Sequence, residues 1–72
     1  MTNRIRVLRA EHDMTQDELA GKVGVRRETI LHLENNRYIP SLKLAYDIAT
    51  LFGKRIEEVF SFEEWQNLKK LD

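Results

Sequence analysis

The sequence contains no cysteine and no long apolar run, and its charges cancel. Without cysteine the chain can form neither a disulfide framework nor a thiolate metal site. No apolar stretch approaches the length of a membrane-spanning helix, and the N-terminus lacks the apolar core of a signal peptide, so we expect a cytoplasmic protein. Twelve basic residues balance twelve acidic ones, and this neutrality argues mildly against a nucleic-acid partner.

The length of the chain limits it to a single domain. At 72 residues and 42% apolar content it can bury only a thin core. A helical bundle with short connections suits such a core better than a two-layer sheet fold. The sequence therefore predicts an all-α protein.

The stretch from Thr15 to Leu33 has the pattern of two short helices joined by a tight turn. Apolar residues recur on one face of each predicted helix, so both helices bury a stripe. Gly24 stands where the chain leaves the first helix and needs a positive φ, and the small Ala20 stands where the helix axes approach. This is the pattern of a helix-turn-helix, whose second helix can enter the DNA major groove.

The pattern continues beyond the two helices and resembles a known family. Together with LENNRYIPSLKLAYDIATLFG and IEEVF, the stretch resembles the phage Cro and repressor type of helix-turn-helix regulators, also called the xenobiotic-response-element family. The resemblance covers about Asn3 to Phe60 and is greatest to the small single-domain repressors. It implies a five-helix, lambda-repressor-like DNA-binding domain over residues 1–60, followed by a short C-terminal extension over residues 61–72.

The third predicted helix carries the candidate base-reading residues. With its apolar stripe inward, its outer face presents Arg27, Glu28 and His32, with Thr29 at the border. Arg27 can pair with guanine, Glu28 can accept from the cytosine amino group, and Thr29 can touch a thymine methyl. The family's base-reading positions match Arg27, Glu28 and His32. The family commonly has glutamine at the position of Glu28, so this carboxylate can instead hold Arg26 or Arg27.

The second predicted helix begins with a candidate phosphate site. Thr15 is its predicted N-cap, and Glu18 completes a capping box. The helix N-terminus and the Gln16 amide suit a phosphate, and the resemblance implies that Gln16 binds the DNA backbone. The alternative is that Gln16 is only an exposed, good helix former.

Further backbone contacts are predicted around the recognition helix. Basic residues concentrate there, whereas acidic residues crowd towards the C-terminus, so the molecule can turn a basic face to DNA. The predicted phosphate contacts, besides Thr15 and Gln16, are Arg26, Asn35, Arg37 and Lys43.

Two structural predictions complete this interpretation. The resemblance implies a buried ion pair between Arg9 and Glu34, because a buried guanidinium needs a partner. The fourth helix is apolar around much of its circumference, which predicts a central core helix that includes Leu42 and Leu51 and ends at Gly53.

The C-terminal extension is predicted to hold two copies together. Its apolar residues recur at a spacing of three, typical of a short amphipathic helix, although FSFEEW could also be an edge strand that pairs with the N-terminus. These side chains exceed what so small a core can cover, and such surfaces mark contacts. The alternative is that Trp65 folds back onto the first helix. The predicted dimer residues are Phe62, Trp65, Leu68 and Leu71.

We therefore expect sequence-specific binding of a palindromic double-stranded DNA operator by a homodimer, with transcriptional repression as the consequence. No cofactor, metal or catalytic residue is predicted, because His32 lacks a second histidine, a cysteine or a nucleophile beside it. The alternatives are an antitoxin or a restriction-modification controller that uses the same domain. A protein-interaction module that no longer binds DNA is a third, supported by Glu28 and the neutral net charge.

Overall fold

The computed structural model describes residues 1–61, which form five helices and a two-stranded sheet. The helices are α1 (Ile5–Glu11), α2 (Gln16–Val23), α3 (Arg27–Glu34), α4 (Leu42–Leu51) and α5 (Ile56–Val59). Strands β1 (Thr2–Asn3) and β2 (Phe60–Ser61) pair antiparallel, with Thr2 opposite Ser61 and Asn3 opposite Phe60. The predicted all-α class with five helices is confirmed.

Helices α1 to α4 end in the same way. After each, one residue adopts a positive φ, and the next amide donates to a carbonyl five residues earlier at 2.8 to 3.0 Å. These bonds satisfy carbonyl groups that the helix leaves unpaired. The left-handed positions are Asp13, Gly24, Asn36 and Gly53. Gly24 and Gly53 were predicted at helix ends because glycine adopts a positive φ without strain. At the end of α3 the left-handed residue is Asn36.

Two helices begin with side-chain caps. The Thr15 hydroxyl accepts from the Glu18 amide at 3.0 Å, and the Glu18 carboxylate accepts from the Thr15 amide at 3.0 Å, which is the predicted capping box. The Ser41 hydroxyl accepts from the Leu44 amide at 3.1 Å at the start of α4. Local sequence thus fixes the position at which α2 and α4 begin.

The core lies between the helices, and the end of the described chain contributes to it. Phe60 is buried at 2% exposure, so the sheet residue next to α5 is itself part of the core. The other buried apolar residues are Ile5, Leu8, Leu19, Ala20, Ile30, Leu33, Leu44, Ala45, Ile48, Ala49, Phe52 and Val59. No helix within residues 1–61 has the length and apolarity needed to cross a bilayer.

The prediction that Leu42 and Leu51 belong to the core is wrong. Leu42 is 77% exposed and Leu51 is 38% exposed. Helix α4 is apolar around most of its circumference, so the pattern alone does not show which side faces inward. The side that packs consists of Leu44, Ala45, Ile48 and Ala49.

The predicted domain boundary after Phe60 falls within β2. The edge-strand alternative for this segment applies to Phe60 and Ser61, which pair with the N-terminal strand. The predicted dimer residues lie outside the described residues, and so does the alternative for Trp65. They are Phe62, Trp65, Leu68 and Leu71.

Candidate nucleic-acid interface

Helices α2 and α3 pack against each other as a helix-turn-helix. The three residues between them begin with Gly24 at φ 73°, which allows the chain to turn immediately after α2. Ala20 is 2% exposed in α2, whereas Ile30 and Leu33 are fully buried in α3. Apart from Glu34, the buried residues of the two helices are apolar, which leaves the opposite side of the motif for a partner.

The outer face of α3 presents the predicted base-reading residues. Arg27, Glu28 and His32 are exposed, and Thr29 is half-buried at the border. No side-chain hydrogen bond or ion pair within residues 1–61 involves any of these four. In particular, Glu28 forms no ion pair with Arg26 or Arg27. The polar atoms of these three side chains are therefore available to an external partner.

An open cleft lies where α1, α2 and α3 meet at the N-terminus of α2. The cleft is lined by two arginines, two uncharged polar residues and one aspartate, which are Arg9, Arg27, Thr15, Gln16 and Asp17. The N-terminus of α2 adds partial positive charge from its unpaired amides. The cleft therefore favours an anion, and it brings the predicted phosphate and base-reading residues together.

A buried ionic network centred on Glu34 includes two residues that line this cleft, Arg9 and Gln16. The Glu34 side chain is fully buried, and Arg9 donates to it through Nε at 2.5 Å and Nη2 at 3.1 Å. Arg9 also donates to the Met14 carbonyl at 2.8 Å. Arg6, which is mostly exposed, adds a longer contact of 3.4 Å. The ion pair that the family resemblance implies is present, with Arg6 as an additional member.

The network lowers the pKa of Glu34. Burial by itself raises the pKa of this carboxyl group, but hydrogen bonds from Arg9 and Gln16 and the charges of Arg9 and Arg6 outweigh that effect. Glu34 is therefore ionised at neutral pH, and one carboxylate faces two guanidinium groups. The junction of α1, α2 and α3 keeps a net positive charge beside the cleft.

Gln16 connects the cleft to this network. Its Nε2 donates to Glu34 Oε1 at 3.1 Å, and the residue is half-buried. An amide nitrogen has a second hydrogen to donate, and the amide oxygen remains an acceptor. Gln16 is therefore held in one orientation by the core and is more than an exposed helix former.

The other predicted phosphate residues differ in their surroundings. Arg26 and Arg37 are exposed, and Arg26 occupies the N-cap position of α3 without a side-chain bond. The Asn35 amide oxygen accepts from Arg6 Nη2 at 3.3 Å. Lys43 donates to Asp47 at 2.7 Å and lines a second groove together with Thr29 and Tyr38.

Several contacts were missed at the level of sequence. The spacing of Lys43 and Asp47 is the usual one for an ion pair on a helix and could have been found. The contacts of Arg6 with Glu34 and Asn35 join α1 to the end of α3. No local pattern identifies them, because the partners lie almost thirty residues away in sequence.

Comparison with known proteins agrees with this geometry. A family model described as helix-turn-helix matches residues 5–59. A helix-turn-helix-type transcriptional regulator of Archaeoglobus fulgidus is 59% identical over 64 residues, which is 89% of this chain and 91% of that protein. The cryptic phage CTXphi transcriptional repressor RstR of Vibrio cholerae is 34% identical over 70 residues, covering 97% of this chain and 63% of the repressor.

Solved structures show the same fold. The clp gene regulator ClgR of Corynebacterium glutamicum superposes with a TM-score of 0.69 at 26% identity, over 75% of this chain and 57% of that one. A hypothetical transcription factor from Neisseria gives a TM-score of 0.70 at 23% identity, over 89% of this chain and 75% of that one. The chain therefore belongs to the helix-turn-helix family of Cro/C1-type transcriptional regulators.

Proposed function

We propose that this member of the Cro/C1-type family is a transcriptional repressor that binds a specific double-stranded DNA site as a homodimer. The observation that carries the proposal is the outer face of α3, where Arg27, Glu28 and His32 project without partners in the described part of the chain. The opposite side of α3 is anchored in the core by Ile30 and Leu33. A rigid helix with free polar groups on one side is what groove recognition requires.

Base readout falls to the N-terminal half of α3. Arg27 is the first residue of the helix, and its guanidinium can donate two parallel bonds to guanine. Glu28 can accept from the cytosine amino group, and half-buried Thr29 can place its methyl group against thymine. His32, one turn further along, contacts the groove beyond them.

Backbone contacts hold α3 in register on the duplex. The cleft at the N-terminus of α2 takes a phosphate with the Thr15 hydroxyl and the second Gln16 hydrogen. To bind a phosphate, Lys43 must break its ion pair with Asp47. This costs little because an exposed ion pair contributes about 0 to 1 kcal/mol to stability. Arg26, Asn35 and Arg37 complete the proposed set.

A two-fold dimer would place two α3 helices in successive major grooves. This arrangement requires a palindromic operator whose half-sites lie one helical turn apart. We assign the dimer contact to the C-terminal extension, through Phe62, Trp65, Leu68 and Leu71, because these apolar side chains exceed what so small a core can cover. The relationship to a phage repressor supports repression. The protein would act in the cytoplasm by binding and without catalysis.

The test is a selection from random duplex DNA with the purified protein, followed by titration of the selected and a random duplex at several salt concentrations. Arg27→Ala should reduce discrimination between the two duplexes by about 1 to 3 kcal/mol, because a base contact is lost while phosphate contacts remain. Lys54→Ala is the matched control, since it removes one exposed positive charge away from α3.

The outcomes separate three interpretations. Failure to enrich any sequence would refute the proposal and favour a protein-interaction module. Equal weakening of both duplexes by Arg27→Ala would make Arg27 a backbone contact only. A selective loss for Arg27→Ala, with Lys54→Ala close to wild type, supports base reading by α3.

A further inference from the structure

One side chain ties the C-terminal end of α3 to the two-stranded sheet. Asn3 in β1 donates from Nδ2 to the Leu33 carbonyl at 2.7 Å and to Asn36 Oδ1 at 3.0 Å. Its Oδ1 accepts from the Ile5 amide at 3.1 Å. The Asn3 amide therefore uses both its donor and its acceptor groups, and it connects β1, the start of α1 and the end of α3.

The carbonyl that Asn3 reaches belongs to the turn that ends α3. Asn36 adopts a left-handed conformation at φ 60°, and its amide donates to the same Leu33 carbonyl at 3.0 Å. The Arg37 amide donates to the His32 carbonyl at 2.9 Å. The Leu33 carbonyl therefore accepts two hydrogen bonds, one from the Asn36 amide and one from Asn3. The bond from Asn3 stabilises the turn at which α3 ends.

The two ends of α3 are held unequally. At the N-terminus, Arg26 forms no side-chain cap bond. At the C-terminus, Asn3 binds the terminating turn, Arg6 binds Asn35, and the Glu34 carboxylate is buried in its ionic network. Side-chain hydrogen bonds therefore add to the packing against α2 at the C-terminal end of α3, whereas the proposed base-reading residues lie at the other end.

We propose that Asn3 is a positioning residue for DNA recognition, which sets the angle at which α3 enters the groove. This inference rests on the proposed function. An eight-residue helix is about 12 Å long, so a tilt of about 5° at its C-terminal end displaces its N-terminal turn by about 1 Å. A bidentate bond from Arg27 has a tolerance of only about 0.5 Å in donor–acceptor distance, so such a tilt disrupts it.

The sheet gives this contact a second consequence. Asn3 pairs with Phe60 across the sheet, and Ser61 leads directly into the segment that we assign to the dimer contact. Asn3 therefore connects the proposed dimer side of the molecule with the helix that reads DNA. The spacing and tilt of the two α3 helices in a dimer then depend on the same hydrogen bonds.

The test uses one substitution that removes both donations from Asn3 and one that removes a single acceptor. Asn3→Asp keeps the acceptor for the Ile5 amide and loses both donations to the end of α3. Asn36→Gly removes the second acceptor and keeps the left-handed backbone, which glycine adopts without strain. The measured quantity is the ratio of affinities for the selected and a random duplex in the full-length protein.

We expect Asn3→Asp to lower this ratio about three- to tenfold, because two hydrogen bonds to the end of α3 are lost and the new carboxylate repels both acceptor oxygens. Asn36→Gly should lower it less, because the Leu33 bond remains. The double variant should lose less than the sum of the two, since both remove the same contact.

Two control variants separate positioning from other effects. Thr2→Asp adds the same charge at the neighbouring, exposed position of β1, and Ile56→Val weakens core packing on α5. Both should leave the affinity ratio unchanged, although Thr2→Asp weakens binding to all duplexes and Ile56→Val lowers the melting temperature. A purely structural role for Asn3 would give the same behaviour as Ile56→Val.

The failures of the two proposals are distinguishable. If the wild-type protein selects no sequence, the proposed function fails and this inference fails with it. If the wild-type protein is specific and the affinity ratio of Asn3→Asp equals that of Thr2→Asp, only the inference about Asn3 is overturned. If Asn3→Asp does not fold, Asn36→Gly decides, and an unchanged ratio for that variant overturns the inference.

Discussion

Removal of the Arg9 charge should be the most damaging single change in the ionic network. Arg9→Met keeps most of the aliphatic stem and removes the guanidinium. Glu34 would then retain only Gln16 and the long contact from Arg6. Because the Glu34 side chain has no exposed surface, its carboxylate cannot recover hydration without a change in packing.

The structure gives the size and the asymmetry of the effect. Loss of one partner of a buried ion pair costs about 3 to 5 kcal/mol, and a domain of this length has a total stability of about 4 to 11 kcal/mol. Glu34→Ala should cost less, because the Arg9 side chain is 15% exposed and keeps its bond to Met14. We therefore expect Arg9→Met to lose about half of the total stability, and Glu34→Ala to lose less.

Urea denaturation followed by circular dichroism measures these differences. Arg6→Met is the matched control, since the Arg6 side chain is 64% exposed and loss of its charge should cost about 0 to 1 kcal/mol. Replacing both Arg9 and Glu34 by apolar residues should recover part of the loss, because no uncompensated charge then remains buried. An Arg9→Met protein as stable as Arg6→Met would refute the assignment of Arg9 as the main partner of Glu34.

Two further predictions concern acid and the C-terminal extension. Because the pKa of Glu34 is lowered in the folded state, the stability that it contributes is present above about pH 4.3, the ordinary glutamate value, and is lost as the pH falls through its folded pKa. Unfolding of Glu34→Gln should depend less steeply on acid, and equal slopes would contradict this. Truncation after Ser61 should leave a helical monomer that binds a palindromic site more weakly. If the truncated protein still sediments as a dimer at low micromolar concentration, the interface lies elsewhere in the chain.

Features that depend on neighbours in sequence were predictable. The capping box of Thr15 and Glu18 and the left-handed Gly24 and Gly53 need only a few adjacent residues, and all are present. Asp13 takes the same left-handed conformation after α1 and was not predicted, although aspartate tolerates it better than most residues. A glycine in the sequence therefore indicates a helix end more reliably than an aspartate does.

Features that depend on packing were not predictable to the same extent. Helix α4 offers more apolar residues than its neighbours can cover, so Leu42 and Leu51 satisfy the pattern and still face solvent. Its packed side is fixed by the angle at which it meets the other helices, which no periodicity encodes. The resemblance implied the partner of Arg9, whereas the residues alone showed only that both charges were available.

The site differs from the fold in what its residues do before any partner binds. The side chains of Arg27, Glu28 and His32 form no hydrogen bond or ion pair within residues 1–61, so no internal contact could have been used to predict them. Gln16 belongs to both groups, because its amide nitrogen donates to Glu34 and the residue also lines the cleft. A change in the buried network is therefore expected to alter the phosphate site through Gln16 even where the fold survives. Loss of stability and loss of DNA binding in Glu34→Ala should consequently be separable, with binding weakened at temperatures where the protein remains fully folded.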